Sequence, residues 1–169
     1  MYKTAVFAAV IVALVAGGSL VAYGYYSTNG TIRVYATTGN PDPLYLTVSS
    51  IMIHSASNSS GWITIMNKSD TILLNGNLSF ISSATIPTGN YTMIRLIVSA
   101  VQITIGGLNV SVKLPSSMLE IPIIKQGLEI RGGQTSGLAV VFGPHIVMTG
   151  NGSYILSPVL LAEPINITS

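Results

Sequence analysis

The chain has 169 residues, of which 49% are hydrophobic and only 7% are charged, and its formal net charge is +2. This composition excludes an intrinsically disordered chain, which would be poor in hydrophobic residues. The sequence also lacks the lysine and arginine runs of a nucleic-acid-binding surface. The absence of cysteine excludes disulfides, thiolate metal sites and cysteine nucleophiles.

The N-terminal segment has the pattern of an export signal. A short positive start is followed by an apolar run over residues 5–23, and small residues place a cleavage site after Gly24. The same run is almost long enough to span a bilayer, so an uncleaved membrane anchor is the alternative. We therefore predict a signal peptide or anchor over residues 1–24, a short linker over residues 25–30 and a single domain over residues 31–169.

Beyond the linker the sequence has the composition of β-strands. Valine, isoleucine, threonine and tyrosine dominate, and no long window has the 3.6-residue period of a helix. Short strands punctuated by glycine, proline and asparagine are typical of an antiparallel β-sandwich of the Ig-like or Greek-key type. We expect this all-β domain to follow an N-terminal hydrophobic helix. The predicted strands span residues 31–37, 44–54, 61–66, 70–74, 91–105, 108–114, 119–124, 134–142 and 153–162.

Two of these strands share a pattern that predicts a bend in each. Residues 46–53 and 96–103 both read Leu-x-Val-Ser-small-β-branched-x-Ile, and the apolar residues change face in the middle of each segment. An extra residue in a β-bulge changes the face in this way. We therefore expect bulges at residues 49–50 and 99–100, in two central, paired strands that bend so that each serves two packed sheets.

Glycosylation signals are dense along the chain. Eight of the ten asparagines lie in Asn-x-Ser/Thr sequons, where chance would give roughly two. Because a sequon accepts a bulky surface glycan, we predict an N-glycosylated protein that is extracellular or on the cell surface. Glycans would replace charged groups at the surface, and low charge also suits an acidic medium, where carboxylates are neutralised near pH 4. The acceptors are Asn29, Asn58, Asn67, Asn77, Asn90, Asn109, Asn151 and Asn166.

Several segments together resemble a known family. They cover residues 30–43, 48–64, 86–96, 114–116 and 150–159. In this order they resemble the exported archaeal and bacterial family called domain of unknown function 4382. The most specific motif is Pro-x-Gly-x-Tyr-x-x-Ile-Arg over residues 87–95.

This resemblance implies a β-sandwich on a lipoprotein or surface protein, and the family name carries no activity. The family usually has Thr-Asp-Ala-Pro after its first strand. Residues 37–41 instead read Thr-Thr-Gly-Asn-Pro, so the acidic ligand of a calcium site is missing there.

The organisation of the chain is similar to that of a second group of proteins. A Sec-type signal, one small β domain, no cysteine and many sequons are also features of archaeal thread-type filament subunits. Those subunits join when each donates a strand to a neighbour. This second resemblance rests on organisation and not on a motif.

The sequence offers few groups for catalysis. Its carboxylates and histidines are scattered, and no nucleophile-elbow, zinc-protease or phosphate-loop motif occurs. We therefore expect no enzyme activity, no catalytic or metal-binding residue and no cofactor. Trp62 is a candidate for stacking on a sugar, and a partly buried core tryptophan is the alternative. The carboxylates and histidines are Asp42, Asp70, Glu120, Glu129, Glu163, His54 and His145.

Two functions are compatible with these features. The first hypothesis is an archaeal filament subunit that self-associates through its sheet edges by strand donation. Its candidate donor strand lies within residues 25–38, where Ile32, Val34 and Ala36 would fill a neighbour's groove. In a monomer the same segment would be the first strand of its own sandwich. The alternative is a monomeric surface module that binds a glycan or small ligand and keeps residues 5–23 as its membrane anchor.

Overall fold

The described elements of the protein are all strands, which confirms the all-β prediction. The predicted N-terminal helix lies outside the described residues, within which no helix is long and apolar enough to cross a bilayer. The computed structural model describes Gly24 and residues 28–39, 43–55, 61–143, 146–156 and 158–167.

Thirteen strands follow one another in the described part of the chain. They are β1 (Asn29–Thr38), β2 (Leu44–Ser55), β3 (Trp62–Met66), β4 (Asp70–Leu74), β5 (Ser79–Pro87), β6 (Gly89–Ile105), β7 (Leu108–Ser111), β8 (Met118–Pro122), β9 (Leu128–Ile130), β10 (Thr135–Gly143), β11 (Ile146–Met148), β12 (Tyr154–Leu156) and β13 (Val159–Ile165).

These strands form two large sheets and one small sheet. The four-stranded sheet has the order β13-β10-β1-β5. In the seven-stranded sheet, β3 and β4 flank one side of β2, while β7, β8 and β9 lie along the far side of β6. The strands β11 and β12 form a two-stranded sheet. Paired strands are antiparallel except for β1 and β10, which are parallel, so the predicted antiparallel pairing holds for all described strand pairs but one.

The two large sheets contribute their apolar faces to one hydrophobic core. Alternate residues of β1, including Ile32 and Val34, enter it from the four-stranded sheet. Leu46 and Ile51 on β2 and Leu96 on β6 enter it from the seven-stranded sheet. Full burial of one such aliphatic side chain contributes about 1.5–3 kcal/mol. With no disulfide available, this core and the sheet hydrogen bonds hold the fold together.

The predicted bulges are confirmed in β2 and β6, which pair at the centre of the seven-stranded sheet. The register skips Ser49 on β2 and Ser99 on β6. The hydroxyl of Ser49 donates to the carbonyl oxygen of Ile97 at 3.2 Å, and that of Ser99 donates to Thr47 at 3.4 Å. The prediction that each bent strand serves two sheets is wrong, because both strands stay in the seven-stranded sheet along their whole length.

Three strands and one break differ from the sequence-based prediction. No strand was expected at β5, β9 or β11, and the strand predicted over residues 153–162 is divided between β12 and β13. The register of β5 against β1 shifts beside Tyr35: this residue pairs with Phe80, and Ile81 is skipped. The alternation of faces along β5 is therefore interrupted. The other two missed strands have three residues each, too few to show an alternation.

Candidate functional site

The predicted donor strand, β1, occupies the middle of the four-stranded sheet. It pairs in parallel with β10 and antiparallel with β5. Ile32, Val34 and Ala36 are each 0% exposed. The three residues expected to fill a groove therefore fill the groove between β5 and β10 of their own chain. Residues 25–27 of the predicted donor segment lie outside the described residues.

The groove that receives β1 is apolar along its length. Leu138, Val140 and Phe142 on β10 are buried beside it, and Ile86 on β5 is buried on its other side. In parallel register, Val34 pairs with Leu138. A protein without β1 would expose all of these side chains to water, which is unfavourable. An empty groove would therefore bind an apolar β-strand.

Backbone contacts fix the point where β1 enters the groove. The N–H of Gly133 donates to the carbonyl oxygen of Asn29 at 2.9 Å, and the N–H of Thr31 donates to Gln134 at 2.8 Å. Between these two bonds, Gly30 lies so close to the turn after β9 that a Cβ would collide with its backbone. Only glycine fits at this position without a shift of the turn.

Trp62, the candidate for sugar stacking, lies at the start of β3 on the outer face of the seven-stranded sheet. The guanidinium carbon of Arg95 lies 3.8 Å from the centroid of the indole ring, a cation–π contact. The ring of His54 is 5.3 Å away on the adjacent strand. Arg95 also donates from Nε to Oε1 of Glu120 at 3.0 Å. Arg95 thus covers one face of the ring, and sugar stacking on Trp62 stays a prediction.

The carboxylates in the described part of the chain are dispersed over the surface and are not gathered into a site. Glu120 pairs with Arg95, Glu129 with Arg131 and Glu163 with Lys125. A hydrogen bond from Arg131, followed by the attraction of its charge, lowers the pKa of the Glu129 carboxyl. Asp42 and His145 lie outside the described residues, among which no group of three or more acidic or histidine residues could hold a metal ion.

A strained turn lies between β8 and β9. Lys125 and Gln126 have φ angles of 59° and 68°, and the N–H of Gly127 donates to the carbonyl oxygen of Ile124 at 3.4 Å. Two successive positive φ values are the pattern of a type I′ turn, which favours asparagine and glycine. Lysine and glutamine occupy the two positions with positive φ, and neither residue type predicts such a conformation. Only the glycine that follows them is a turn signal.

The strained turn also holds one of the predicted glycan acceptors. The side-chain nitrogen of Asn90 donates to the carbonyl oxygen of Gln126 at 2.9 Å. An open cavity of about 690 Å³ adjoins the turn, and Lys125, Glu129 and Arg131 line it. Both cations of this cavity already pair with carboxylates, so the charges at its rim are balanced.

The other described sequons lie at turns and strand ends. Asn29 is half-buried at the start of β1, and the acceptor Asn58 lies outside the described residues. At such positions a predicted glycan would project from the end of a strand without covering the middle of a sheet. The exposed acceptors in the described part of the chain are Asn67, Asn77, Asn90, Asn109, Asn151 and Asn166.

Comparison with known proteins identifies one family. The family model described as "Domain of unknown function (DUF4382)" matches residues 29–158, which extend from the start of β1 to just before β13. No curated protein and no solved structure matches this chain.

Proposed function

Because this chain belongs to the DUF4382 family, whose name assigns no activity, we propose a function from its architecture. It is an N-glycosylated structural subunit of an archaeal cell-surface filament. The subunit is an Ig-like, Greek-key β-sandwich, and filaments assemble when β1 of one subunit occupies the groove of the next. The alternation of polar and apolar residues in β1, together with its place between β5 and β10, supports this proposal.

The position of β1 in the chain makes it suitable for exchange. It is the first strand in the described part of the chain, and both of its neighbours come from later in the sequence. Its removal leaves β2 to β13 connected in their order, so exchange with a neighbour requires no rethreading. The same hydrogen bonds and the same buried contacts form whether the strand comes from its own chain or from another, which is the basis of strand swapping.

The distribution of sequons is compatible with such an assembly. Every described acceptor lies at a turn or near a strand end, and none lies on β5 or β10, the two strands that form the groove. Glycans would therefore coat the outside of the filament and leave the strand-binding groove free. They would also take over part of the solvation that charged groups provide on other proteins.

A monomeric, membrane-tethered module is the second candidate. The observation that favours it is that β1 completes the four-stranded sheet of its own chain. In that case residues 5–23 serve as the anchor, and the exposed surface binds a glycan or small ligand. The two functions differ in whether β1 lies in its own groove or in that of a neighbour.

A pair of engineered cysteines distinguishes the two functions, since the chain has no cysteine of its own. Thr37 on β1 and Val141 on β10 are partners in the sheet, and neither belongs to a sequon. In the variant with Thr37→Cys and Val141→Cys, strand exchange would link neighbouring subunits through a disulfide. We expect the oxidised cell-surface fraction, boiled in detergent without reductant, to give a ladder of multimers that a reductant collapses.

The matched control places two cysteines on strands that are close neighbours in sequence. Met52 on β2 and Thr64 on β3 are also partners, and Met52→Cys with Thr64→Cys would link only within one chain. A single band for the Thr37→Cys, Val141→Cys variant, with its thiols consumed, would contradict strand exchange and favour the monomeric module.

A further inference from the structure

We propose that the fold divides the predicted glycan acceptors into open and closed sites, with Asn151 open to glycosylation and Asn90 closed. Asn90 instead holds the turn between β8 and β9, and a glycan on its side chain is incompatible with that turn. The sequence does not distinguish the two asparagines, since residues 90–92 and 151–153 are both complete sequons. This inference rests on the N-glycosylation of the proposed function and on no contact between subunits.

Both polar atoms of the Asn90 side chain face the turn. Its Nδ2 donates to the carbonyl oxygen of Gln126 at 2.9 Å. A Cβ on Gly127 would lie 2.6 Å from Oδ1 of Asn90 and 3.3 Å from its Cγ, so Oδ1 points towards the backbone of Gly127. Asn90 as a whole is exposed, but the edge of its amide that carries the two polar atoms lies against two successive residues of the turn.

An N-glycan would occupy this same edge of the amide. The asparagine Nδ2 carries two hydrogens, and glycosylation replaces one of them by the sugar. The product is a secondary amide, whose favoured trans form places the sugar on the side of Oδ1 and the remaining hydrogen on the opposite side. A sugar on Asn90 would therefore lie where the turn lies, and it would remove the bond to Gln126.

The turn is strained, so its closed form depends on the contacts that hold it. Lys125 and Gln126 both have positive φ angles, which neither residue type favours. The carbonyl that Asn90 holds belongs to the second of them. A strained backbone persists only where its surroundings fix it, and Lys125 is held separately by its ion pair with Glu163 on β13. Loss of the Asn90 contact therefore weakens the closed form of the turn.

The side chain of Asn151 has the opposite arrangement. It lies between β11 and β12, where its Oδ1 accepts from the N–H of Ser153 at 3.2 Å and from the hydroxyl of Thr149. The bond from Ser153 closes an Asx turn within the sequon itself. Nδ2 of Asn151 makes no hydrogen bond to the described residues. The oxygen thus orients the exposed side chain, and the nitrogen that would carry the glycan stays available after folding.

Mapping of glycan occupancy tests this division directly. In the full-length protein purified from its native cells, we expect glycosylated peptides that contain Asn151 and only unmodified peptides that contain Asn90. Two variants, Thr92→Val and Ser153→Ala, each remove a sequon and keep its asparagine. By intact mass, we expect Ser153→Ala to lose one glycan and Thr92→Val to carry as many glycans as the wild type.

Urea unfolding tests the structural role of Asn90. Asn90→Ala removes the side chain and the sequon together, whereas Thr92→Val removes the sequon alone. We expect a lower urea midpoint for Asn90→Ala and an unchanged midpoint for Thr92→Val, because only the first variant loses the bond to Gln126. If the role of Asn90 were to carry a stabilising glycan, the two midpoints would fall equally.

Three results would overturn the proposal. They are a glycan on Asn90 in the folded protein, an Asn151 that carries no glycan, and equal urea midpoints for Asn90→Ala and Thr92→Val. A glycan on Asn90 beside glycans at other sequons would refute this division and leave the proposed glycan coat standing. A protein without any glycan would refute both, whereas the ladder of the Thr37→Cys, Val141→Cys variant would still report on strand exchange.

Discussion

Tyr91 shows how one buried side chain fixes the connection between the two large sheets. Its side chain is 2% exposed, and its hydroxyl donates to the carbonyl oxygen of Pro87 at 2.8 Å, across the turn from β5 to β6. Burial raises the pKa of Tyr91 above its ordinary value of about 10. The hydroxyl is therefore protonated at neutral pH and available as a donor.

Removal of this hydroxyl should destabilise the protein without changing its fold. For Tyr91→Phe we expect the free energy of unfolding to fall by about 1 kcal/mol, because a net hydrogen bond is lost and a carbonyl oxygen is left without this donor. Urea unfolding followed by circular dichroism would show a lower midpoint with the same slope.

A second tyrosine provides the control for this prediction. Tyr45 is half-buried on β2, and its hydroxyl has no hydrogen-bond partner among the described residues. Tyr45→Phe should therefore leave the unfolding midpoint nearly unchanged. Equal losses in the two variants would show that the hydrogen bond to Pro87 contributes nothing measurable.

At the scale of elements, the turn between β8 and β9 stores strain that substitutions can release or increase. Gln126 has a φ of 68°, a conformation that costs a non-glycine residue about 1–2 kcal/mol. Its carbonyl oxygen accepts from Asn90, a bond that glycine would keep. We therefore expect Gln126→Gly to raise the free energy of unfolding by about 0.5–1 kcal/mol, after the entropy cost of a glycine is subtracted.

The adjacent glycine should respond in the opposite direction. Gly127 has a φ of 93°, and a Cβ there would lie 2.6 Å from the backbone oxygen of Tyr91. Gly127→Ala is therefore expected to lower the free energy of unfolding by more than about 1 kcal/mol. Thermal and urea unfolding of both variants measure the two effects, and a stabilised Gly127→Ala protein would contradict this account of the turn.

The elements that could be predicted from the sequence are those whose own residues show a clear alternation of polar and apolar side chains. The bulges in β2 and β6 follow from a change of face at Ser49 and Ser99, a local signal that tertiary structure does not alter. The strand β5 carries no such signal, because its small polar residues lie at a sheet edge and its bulge disrupts the alternation.

The candidate site was also predictable only in part, because some of its contacts depend on residues that are distant in the sequence. Ile32, Val34 and Ala36 alternate in the sequence, so a groove-filling strand could be predicted. Its parallel partner β10 lies about a hundred residues away, and no local pattern specifies such a pairing. The contact of Trp62 with Arg95 depends likewise on the register between strands, which sequence does not state.

For the whole molecule, the few charged groups lie where their titration by acid has little effect on the stability of the fold. The chain has five acidic residues, and those seen in ion pairs lie at the surface. The pairs of Glu120 with Arg95 and of Glu163 with Lys125 are partly exposed, and such pairs contribute about 0.2–1 kcal/mol each. The apolar core and the main-chain pairing, neither of which titrates near pH 4, supply the rest of the stability.

We expect stability to fall only slightly between pH 7 and pH 3. The pKa of Glu129 in the folded chain is lowered by Arg131, so near pH 4 the unfolded chain binds more protons than the folded chain. The contribution of Glu129 is therefore complete above its ordinary pKa of about 4.3 and is lost as the pH falls through the lowered value. Urea midpoints measured across this range should decline less for Glu129→Gln than for the wild type. Cooperative acid unfolding above pH 3 would contradict a fold adapted to an acidic medium, since no buried carboxylate is available among the described residues to cause it.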